Sequence, residues 1–215
     1  MRFFLLLLTA IISYALGNLN GSILVSRLSK HSDVRRYGSG NAGLTNYFRT
    51  FGVSGMAVVI AIDVLKAVIA ALIGGALLGI VDNQVVGKIF AGFCVIMGHM
   101  FPVLFQFKGG KGVLSGISML FVVDWRVGLI CTAVFAVIVI FTRYVSLGSV
   151  VGSALAPLLM LAFGFSGLEC LLCLLCALLI IVKHAENIVR LIGGTENKLD
   201  LKKHAPKADD EEEMY

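Results

Sequence analysis

Charged side chains are scarce in this 215-residue chain: Asp, Glu, Lys and Arg make up only 14% of it, whereas hydrophobic residues make up 58%. This composition excludes an ordinary soluble protein and predicts a chain that crosses a membrane several times. The sequence also lacks any cluster of histidines with acidic residues, so we expect no metal and no cofactor. The net charge of +5 does not indicate a nucleic-acid partner, because the basic residues collect in loops beside apolar runs.

Five cysteines are present, mostly within apolar runs. Cys170, Cys173 and Cys176 have C-x-x-C spacing, but no histidine or acidic cluster accompanies them. We therefore expect reduced thiols that pack as small apolar side chains, rather than a metal or redox site.

Apolar stretches predict an all-α membrane protein, a bundle of seven transmembrane helices of which several are short or tilted. Asp124 and Arg126 interrupt the fourth and fifth stretches, which favours two short spans over one span with both charges inside it. A five-span bundle, with 113–141 and 150–182 as single crossings, is the alternative. The first stretch resembles a signal peptide, but no convincing cleavage site follows it, so we interpret it as a retained span. The seven stretches are about 1–26, 52–81, 85–104, 113–123, 127–141, 150–163 and 168–182.

Basic residues between 27 and 36 place the first loop in the cytoplasm, with the N-terminus outside and the C-terminus inside. Residues 1–198 are expected to form one transmembrane domain, and the polar, acidic segment 199–215 a disordered tail. Within the second span, Asp63 and Lys66 are spaced to pair on one helix face. A self-neutralising structural pair and a direct catalytic role are both compatible with this spacing.

Three polar clusters fall on the predicted cytoplasmic side: 38–49, 107–112 and 183–196. The first matches G-x-G-x-x-G but lacks the preceding strand of a nucleotide fold, and the second lacks the Ser or Thr that ends a Walker A loop. In the third, His184, Asn187 and Arg190 can share one helix face. Helix caps, basic membrane anchors and an interfacial helix end are the structural alternatives. Together the clusters predict one cytoplasmic site for anionic, phosphate-containing ligands.

Residues 33–49, 98–112, 143–146 and 184–196 resemble, in the same order, the bacterial acyl-phosphate-dependent glycerol-3-phosphate acyltransferases. The resemblance extends from about Gly17 to Lys198. It implies a multi-pass enzyme of the bacterial inner membrane, with its active site facing the cytoplasm. Such an enzyme transfers a fatty acyl group from acyl phosphate to the 1-hydroxyl of glycerol 3-phosphate, giving lysophosphatidic acid and phosphate for phospholipid biosynthesis. Its partners would be these two substrates and the bilayer, with no nucleic acid.

A membrane transporter of a phosphorylated metabolite is the alternative function. The outer turns disfavour it, because they are short and poor in the charges that a transport path would need. A structural membrane subunit would leave the three one-sided clusters unexplained.

The resemblance also assigns site residues. Catalytic roles fall on Ser39, Arg49, Lys111, His184 and Asn187. Substrate-binding roles fall on Asn41, Thr45, Asn46, Lys108, Gly109, Gly110, Gly112, Arg143, Ser146 and Glu196.

We assign Lys108, Lys111 and the amides of 109–112 to glycerol 3-phosphate. Four side chains are assigned to acyl phosphate: Arg49, Ser39, Thr45 and Ser146. Either His184 or a substrate phosphate would act as general base.

Some positions depart from the family's usual residues. Leu44 and Leu114 replace small residues and could narrow a pocket, which leaves the acyl-chain preference open. The other departures, at Leu24, Ala67, Ser115 and Ala185, are interpreted as packing changes.

Overall fold

The computed structural model describes residues 1–81 and 83–200. Throughout these ranges the chain is helical, with loops and no strand, which confirms the predicted all-α class. Short 3₁₀ turns occupy Val34–Arg36 and Val103–Phe105. The α-helices are α1 (Arg2–Gly17), α2 (Gly21–Lys30), α3 (Leu44–Phe51), α4 (Met56–Gly79), α5 (Gln84–Met100), α6 (Val113–Val123), α7 (Trp125–Thr142), α8 (Val145–Ala162), α9 (Gly167–Lys183) and α10 (Ala185–Ile192).

The first apolar stretch forms one candidate span, Arg2–Lys30, as we expected, and within it the chain divides into the two helices α1 and α2. The break falls at 18–20, where the Asn20 side chain accepts a hydrogen bond from the Ile23 amide at 3.0 Å and caps α2. The polar residues that seemed to continue the first span therefore start a new helix.

Glycines let α1, α4 and α5 approach one another closely. A methyl group at Gly98 in α5 would collide with the Tyr14 carbonyl oxygen in α1, and one at Gly87 would collide with the Gly74 carbonyl oxygen in α4. Backbone-to-backbone approach through small residues is the usual way in which helices associate in a membrane. These three helices form a closely packed side of the bundle.

Five helical stretches in the described part of the chain are long and apolar enough to cross a membrane. The pair α9 and α10, bent by 60°, supplies a sixth if it is counted as one span. The multi-pass character predicted from the sequence is therefore confirmed. The five stretches are Arg2–Lys30, Met56–Gly79, Gln84–Phe105, Trp125–Thr142 and Val145–Ala162.

Asp124 separates α6 from α7. Its carboxylate accepts the Arg126 amide at 2.8 Å and pairs with the Arg126 guanidinium, so it caps α7. Gly128 lies against the ring and backbone of Phe121, which means that α7 folds back along α6. A single continuous helix over 113–141 is thus excluded.

The stretch 150–182 is likewise divided. Helix α8 ends at Ala162, and a capping box of Ser166 with Glu169 begins α9. All five cysteines are free thiols, as expected.

Candidate active site

The ends of four helices surround a cavity of about 240 Å³. Its walls come from α3 and the loop before it, from the starts of α6 and α8, and from α10 with the residues after it. Asp63 of α4, His99 of α5 and Phe135 of α7 complete the lining. Ser146 lines it, as do polar residues from all three sequence clusters: Ser39, Asn41, Thr45, Asn46, Arg49, Lys111, His184, Asn187, Arg190 and Glu196. Gly112 lines it as well.

Asn46 fixes the loop that brings Ser39 to the cavity. Its side-chain oxygen accepts the Ser39 amide, and its side-chain nitrogen donates to the carbonyl oxygens of Val34 and Tyr37, all at 3.0 Å. Asn46 is buried whereas Ser39 is exposed. The amide of Asn46 therefore orders the loop, while the hydroxyl of Ser39 is accessible.

Glu196 ties three elements together. One carboxylate oxygen accepts from Asn187 at 2.7 Å and from the Ser146 hydroxyl at 2.8 Å, and the other accepts from Arg190 Nε at 2.8 Å. Burial alone would raise the pKa of Glu196, but these hydrogen bonds outweigh it and hold the pKa below its usual value. Glu196 is consequently ionised and fixes α8 and α10 around the cavity.

Lys111 Nζ donates to the side-chain oxygen of Asn187. Burial lowers the pKa of Lys111 to about 8, although the nearby Glu196 carboxylate opposes this change. Burial also lowers the pKa of Arg49, whose guanidinium donates to the Asn197 carbonyl oxygen at 3.0 Å. With Arg190, the cavity gathers three cations and two carboxylates, Glu196 and Asp63, of which Asp63 is paired with Lys66. Such a site is suited to an anionic ligand.

His184 lies at the bend between α9 and α10 and is buried. Its Nδ1 is 2.7 Å from the Ile180 carbonyl oxygen. A carbonyl oxygen can only accept, so Nδ1 carries the proton and Nε2 of the neutral ring is an acceptor. The histidine is thus fixed in a tautomer whose Nε2 can receive a hydrogen bond or a proton.

Part of the second cluster lies outside the cavity wall. The amide of Gly109 donates to the Met100 carbonyl oxygen at 3.2 Å, and the amide of Gly110 donates to that of His99 at 3.1 Å. These two amides hold the loop to α5, so they do not cradle a phosphate in the way we assigned. Lys108 and Arg143 are exposed and are absent from the cavity lining.

Among the charged and histidine residues of the cavity, three were missing from our predicted site: Arg190, Asp63 and His99. Arg190 could have been chosen from its i+3 spacing with Asn187. Asp63 pairs with Lys66 at 2.6 Å, as its spacing predicted, but its place in the cavity depends on packing between distant helices. In the part of the chain that the structure describes, no group of three or more His, Cys, Asp or Glu residues could hold a metal ion.

A multi-pass helical bundle that gathers three cations, two histidines and two carboxylates around one cavity defines a membrane enzyme for anionic substrates. The profile of the family described as "Glycerol-3-phosphate acyltransferase" matches residues 7–194. The chain belongs to this family.

Curated relatives agree. The chain is 42% identical over 195 residues to a glycerol-3-phosphate acyltransferase of Thermoanaerobacter sp. (strain X514), covering 91% of this chain and 96% of the relative. It is 40% identical over 207 residues to a glycerol-3-phosphate acyltransferase of Clostridioides difficile (strain 630), covering 94% of this chain and 100% of that relative.

A solved structure also matches: PlsY (YgiH), an integral membrane glycerol 3-phosphate acyltransferase, in its glycerol 3-phosphate form. It has a TM-score of 0.85 and 34% identity, over 94% of this chain and 99% of that one. The lysophosphatidic acid form matches with a TM-score of 0.81 and 33% identity, and the match covers 91% of this chain and 96% of that one. The chain is therefore an acyltransferase, and the transporter alternative is not supported.

Proposed function

We propose that this enzyme transfers a fatty acyl group from acyl phosphate to the 1-hydroxyl of glycerol 3-phosphate, in phospholipid biosynthesis. The observation that carries the proposal is the meeting of Arg49, Lys111 and Arg190 in one cavity that also holds His184 and Asn187. Both substrates carry phosphate, and three cations can serve both. The acceptor is the one that gives the relatives their name, and the two PlsY structures are described as glycerol 3-phosphate and lysophosphatidic acid forms.

The proposed topology has seven spans, with α6 and α9 as short crossings beside the five longer ones. The N-terminus lies outside, the C-terminus lies inside, and the cavity opens to the cytoplasm at the inner membrane. Basic residues of the first loop support this, because the Arg35 guanidinium donates to the Phe105 and Lys108 carbonyl oxygens near the cavity. Residues 1–198 would form one domain; of the proposed tail 199–215, residues 201–215 lie outside the described residues.

Lys111 and Gly112 are proposed to bind glycerol 3-phosphate, with Lys108 and Arg143 at the entrance. Arg49, Ser39, Asn41 and Thr45 would hold the acyl phosphate. Ser146 and Glu196 would act through Asn187, whose side chain already contacts Lys111. Asn46 orders the loop before α3, and Gly109 and Gly110 order the loop before α6.

Chemically, the 1-hydroxyl oxygen attacks the acyl carbonyl carbon, a new C–O ester bond forms, and the C–O bond to phosphate breaks. Acyl phosphate is a mixed anhydride with a good leaving group, so no covalent acyl-enzyme is needed. Holding two anions together and stabilising the charge that develops can supply most of the rate.

The hydroxyl proton needs an acceptor, and His184 Nε2 and a substrate phosphate oxygen are the two candidates. His184→Gln keeps a polar side chain but removes the basic nitrogen. A fall in kcat of about a hundredfold or more would assign the proton to His184. Near-wild-type turnover at every pH would assign it to phosphate.

The test of the function is phosphate release by purified protein given palmitoyl phosphate, with and without glycerol 3-phosphate. Release that requires glycerol 3-phosphate, yields lysophosphatidic acid and disappears in Lys111→Ala would support the proposal. Activity with acyl-CoA alone would show that the donor is wrong. No product with any donor would refute the reaction.

A further inference from the structure

A buried polar network, two of whose members line the cavity, has no part in the chemistry proposed above. It consists of Asp63 and Lys66 in α4 and His99 in α5, all at most 4% exposed. Charges at this depth of a membrane protein are costly. A stabilising role alone would be poorly served by such residues, because an apolar trio would pack at lower cost.

Lys66 uses all three of its ammonium hydrogens. Nζ donates to Asp63 Oδ1 at 2.6 Å, to the Leu19 carbonyl oxygen at 2.8 Å and to His99 Nδ1 at 2.8 Å. An ammonium group has no lone pair, so Nδ1 must accept. His99 is therefore neutral and carries its proton on Nε2.

The other edge of the His99 ring lies against Gly110. A methyl group at Gly110 would collide with His99 Nε2 and with the Ala42 carbonyl oxygen, and the Gly110 amide donates to the His99 carbonyl oxygen at 3.1 Å. Gly110 is thus held from two sides by one residue. The next residue along the chain is Lys111.

The same network also fixes the loop before α3, which contains Ala42. The Gly21 amide donates to Asp63 Oδ1 at 3.2 Å, and the Asn20 side chain donates to the Ala42 carbonyl oxygen at 3.0 Å. Ala42 lies between Asn41 and Gly43, which both line the cavity. The two loops therefore touch at Gly110 and Ala42, with the buried network behind them.

We infer that His99 is a positioning residue, held by Lys66 and Asp63 as the neutral Nε2-protonated tautomer so that its ring sets Gly110 and, through it, Lys111. This inference rests on the proposed function, because the group it positions is the proposed ligand of glycerol 3-phosphate. It explains why Gly110 has no side chain and why its amide is not available to phosphate.

The first experiment compares His99→Asn with a matched control. The Asn oxygen can still accept from Lys66, but the part of the ring beside Gly110 is gone. We expect KM for glycerol 3-phosphate to rise about tenfold, which corresponds to about 1.4 kcal/mol of coupling, with KM for palmitoyl phosphate within about twofold. Ile89→Ala, at a fully buried position of the same helix, should lower the thermal midpoint without raising either KM.

A merely structural role would reduce the amount of active enzyme and leave both KM values unchanged in His99→Asn. That outcome, or an equal rise in both KM values, would overturn the inference while wild-type activity upheld the proposed function. If the wild type releases no phosphate, the function itself fails.

The second experiment needs no activity. Long-range ¹⁵N–¹H spectra of protein labelled at histidine nitrogens distinguish the two tautomers and the doubly protonated ring. We expect His99, assigned by its loss in His99→Asn, to show an unprotonated Nδ1 and a protonated Nε2 at neutral pH. A proton on Nδ1 would contradict the network.

Discussion

The kcat/KM for glycerol 3-phosphate should fall as the pH rises. This fall should occur at a much lower pH than the one at which an ordinary lysine loses its charge. Burial lowers the pKa of Lys111 from 10.5 to about 8. The side chain is cationic below this value and neutral above it, so attraction for phosphate is lost as the pH rises. About nine in ten Lys111 side chains are charged at pH 7 but only about one in eleven at pH 9. The kcat/KM for glycerol 3-phosphate reports the free enzyme and should fall about tenfold over this range.

The assay is initial phosphate release at saturating palmitoyl phosphate, from about pH 6.5 to 9.5, corrected for spontaneous hydrolysis without enzyme. A phosphate monoester loses its second proton near pH 6, so the acceptor substrate changes charge only at the acidic end. Lys111→Arg provides the matched control, because a guanidinium stays charged throughout. Its activity can be lower, but its alkaline fall should disappear.

Two results would refute this reasoning. A wild-type kcat/KM that stays flat to about pH 9.5 would show that Lys111 keeps its charge or does not bind the substrate. An alkaline fall that persists unchanged in Lys111→Arg would show that another group titrates.

Four further outcomes follow from the contacts. Glu196→Gln should move the alkaline fall of kcat/KM to lower pH, since Glu196 raises the pKa of Lys111; an unchanged profile would contradict this. Asn46→Ala removes three hydrogen bonds and should cost about 2–3 kcal/mol, seen as a lower thermal midpoint in detergent, whereas Asn41→Ala should not lower it. Gly98→Ala, which collides with the α1 backbone, should cost about 1–3 kcal/mol in the same assay; unchanged unfolding would argue against this close packing. Leu114→Ala should raise kcat/KM for stearoyl phosphate relative to palmitoyl phosphate, because Leu114 lines the cavity.

The helices could be predicted because their signals are local. Apolar runs define the spans, and the charges at Asp124 and Arg126 correctly predicted a break there. The break near Asn20 was missed because Asn is tolerated within a polar patch of a helix as well as at a cap. Only the bond from the Ile23 amide distinguishes the two.

For the site, the sequence predicted that the polar clusters come together, but not the individual contacts between their residues. One-sided placement of the polar loops indicated that they converge, and most of the chosen side chains do line one cavity. Which atom bonds to which was not predictable, because it depends on contacts between residues far apart in sequence. The amides of Gly109 and Gly110 appeared free for a ligand, yet they bond to the end of α5. His99 lies in the last turn of α5, and only the folded structure shows that it joins a buried network.

A carboxylate such as Glu196 would be expected to repel the anions that bind in this cavity. Its hydrogen bonds explain why it is there. The Glu196 carboxylate accepts hydrogen bonds from Ser146, Asn187 and Arg190. Its negative charge offsets the repulsion among the cations while no substrate is bound. The lining carries three cations against Glu196 and Asp63, and Asp63 is already paired with Lys66, so the cavity keeps an excess of positive charge for anionic ligands. Without Glu196 the empty cavity would hold three like charges in a partly desolvated space, and the pKa of Lys111 would fall further. The carboxylate therefore keeps Lys111 charged enough to bind phosphate near neutral pH.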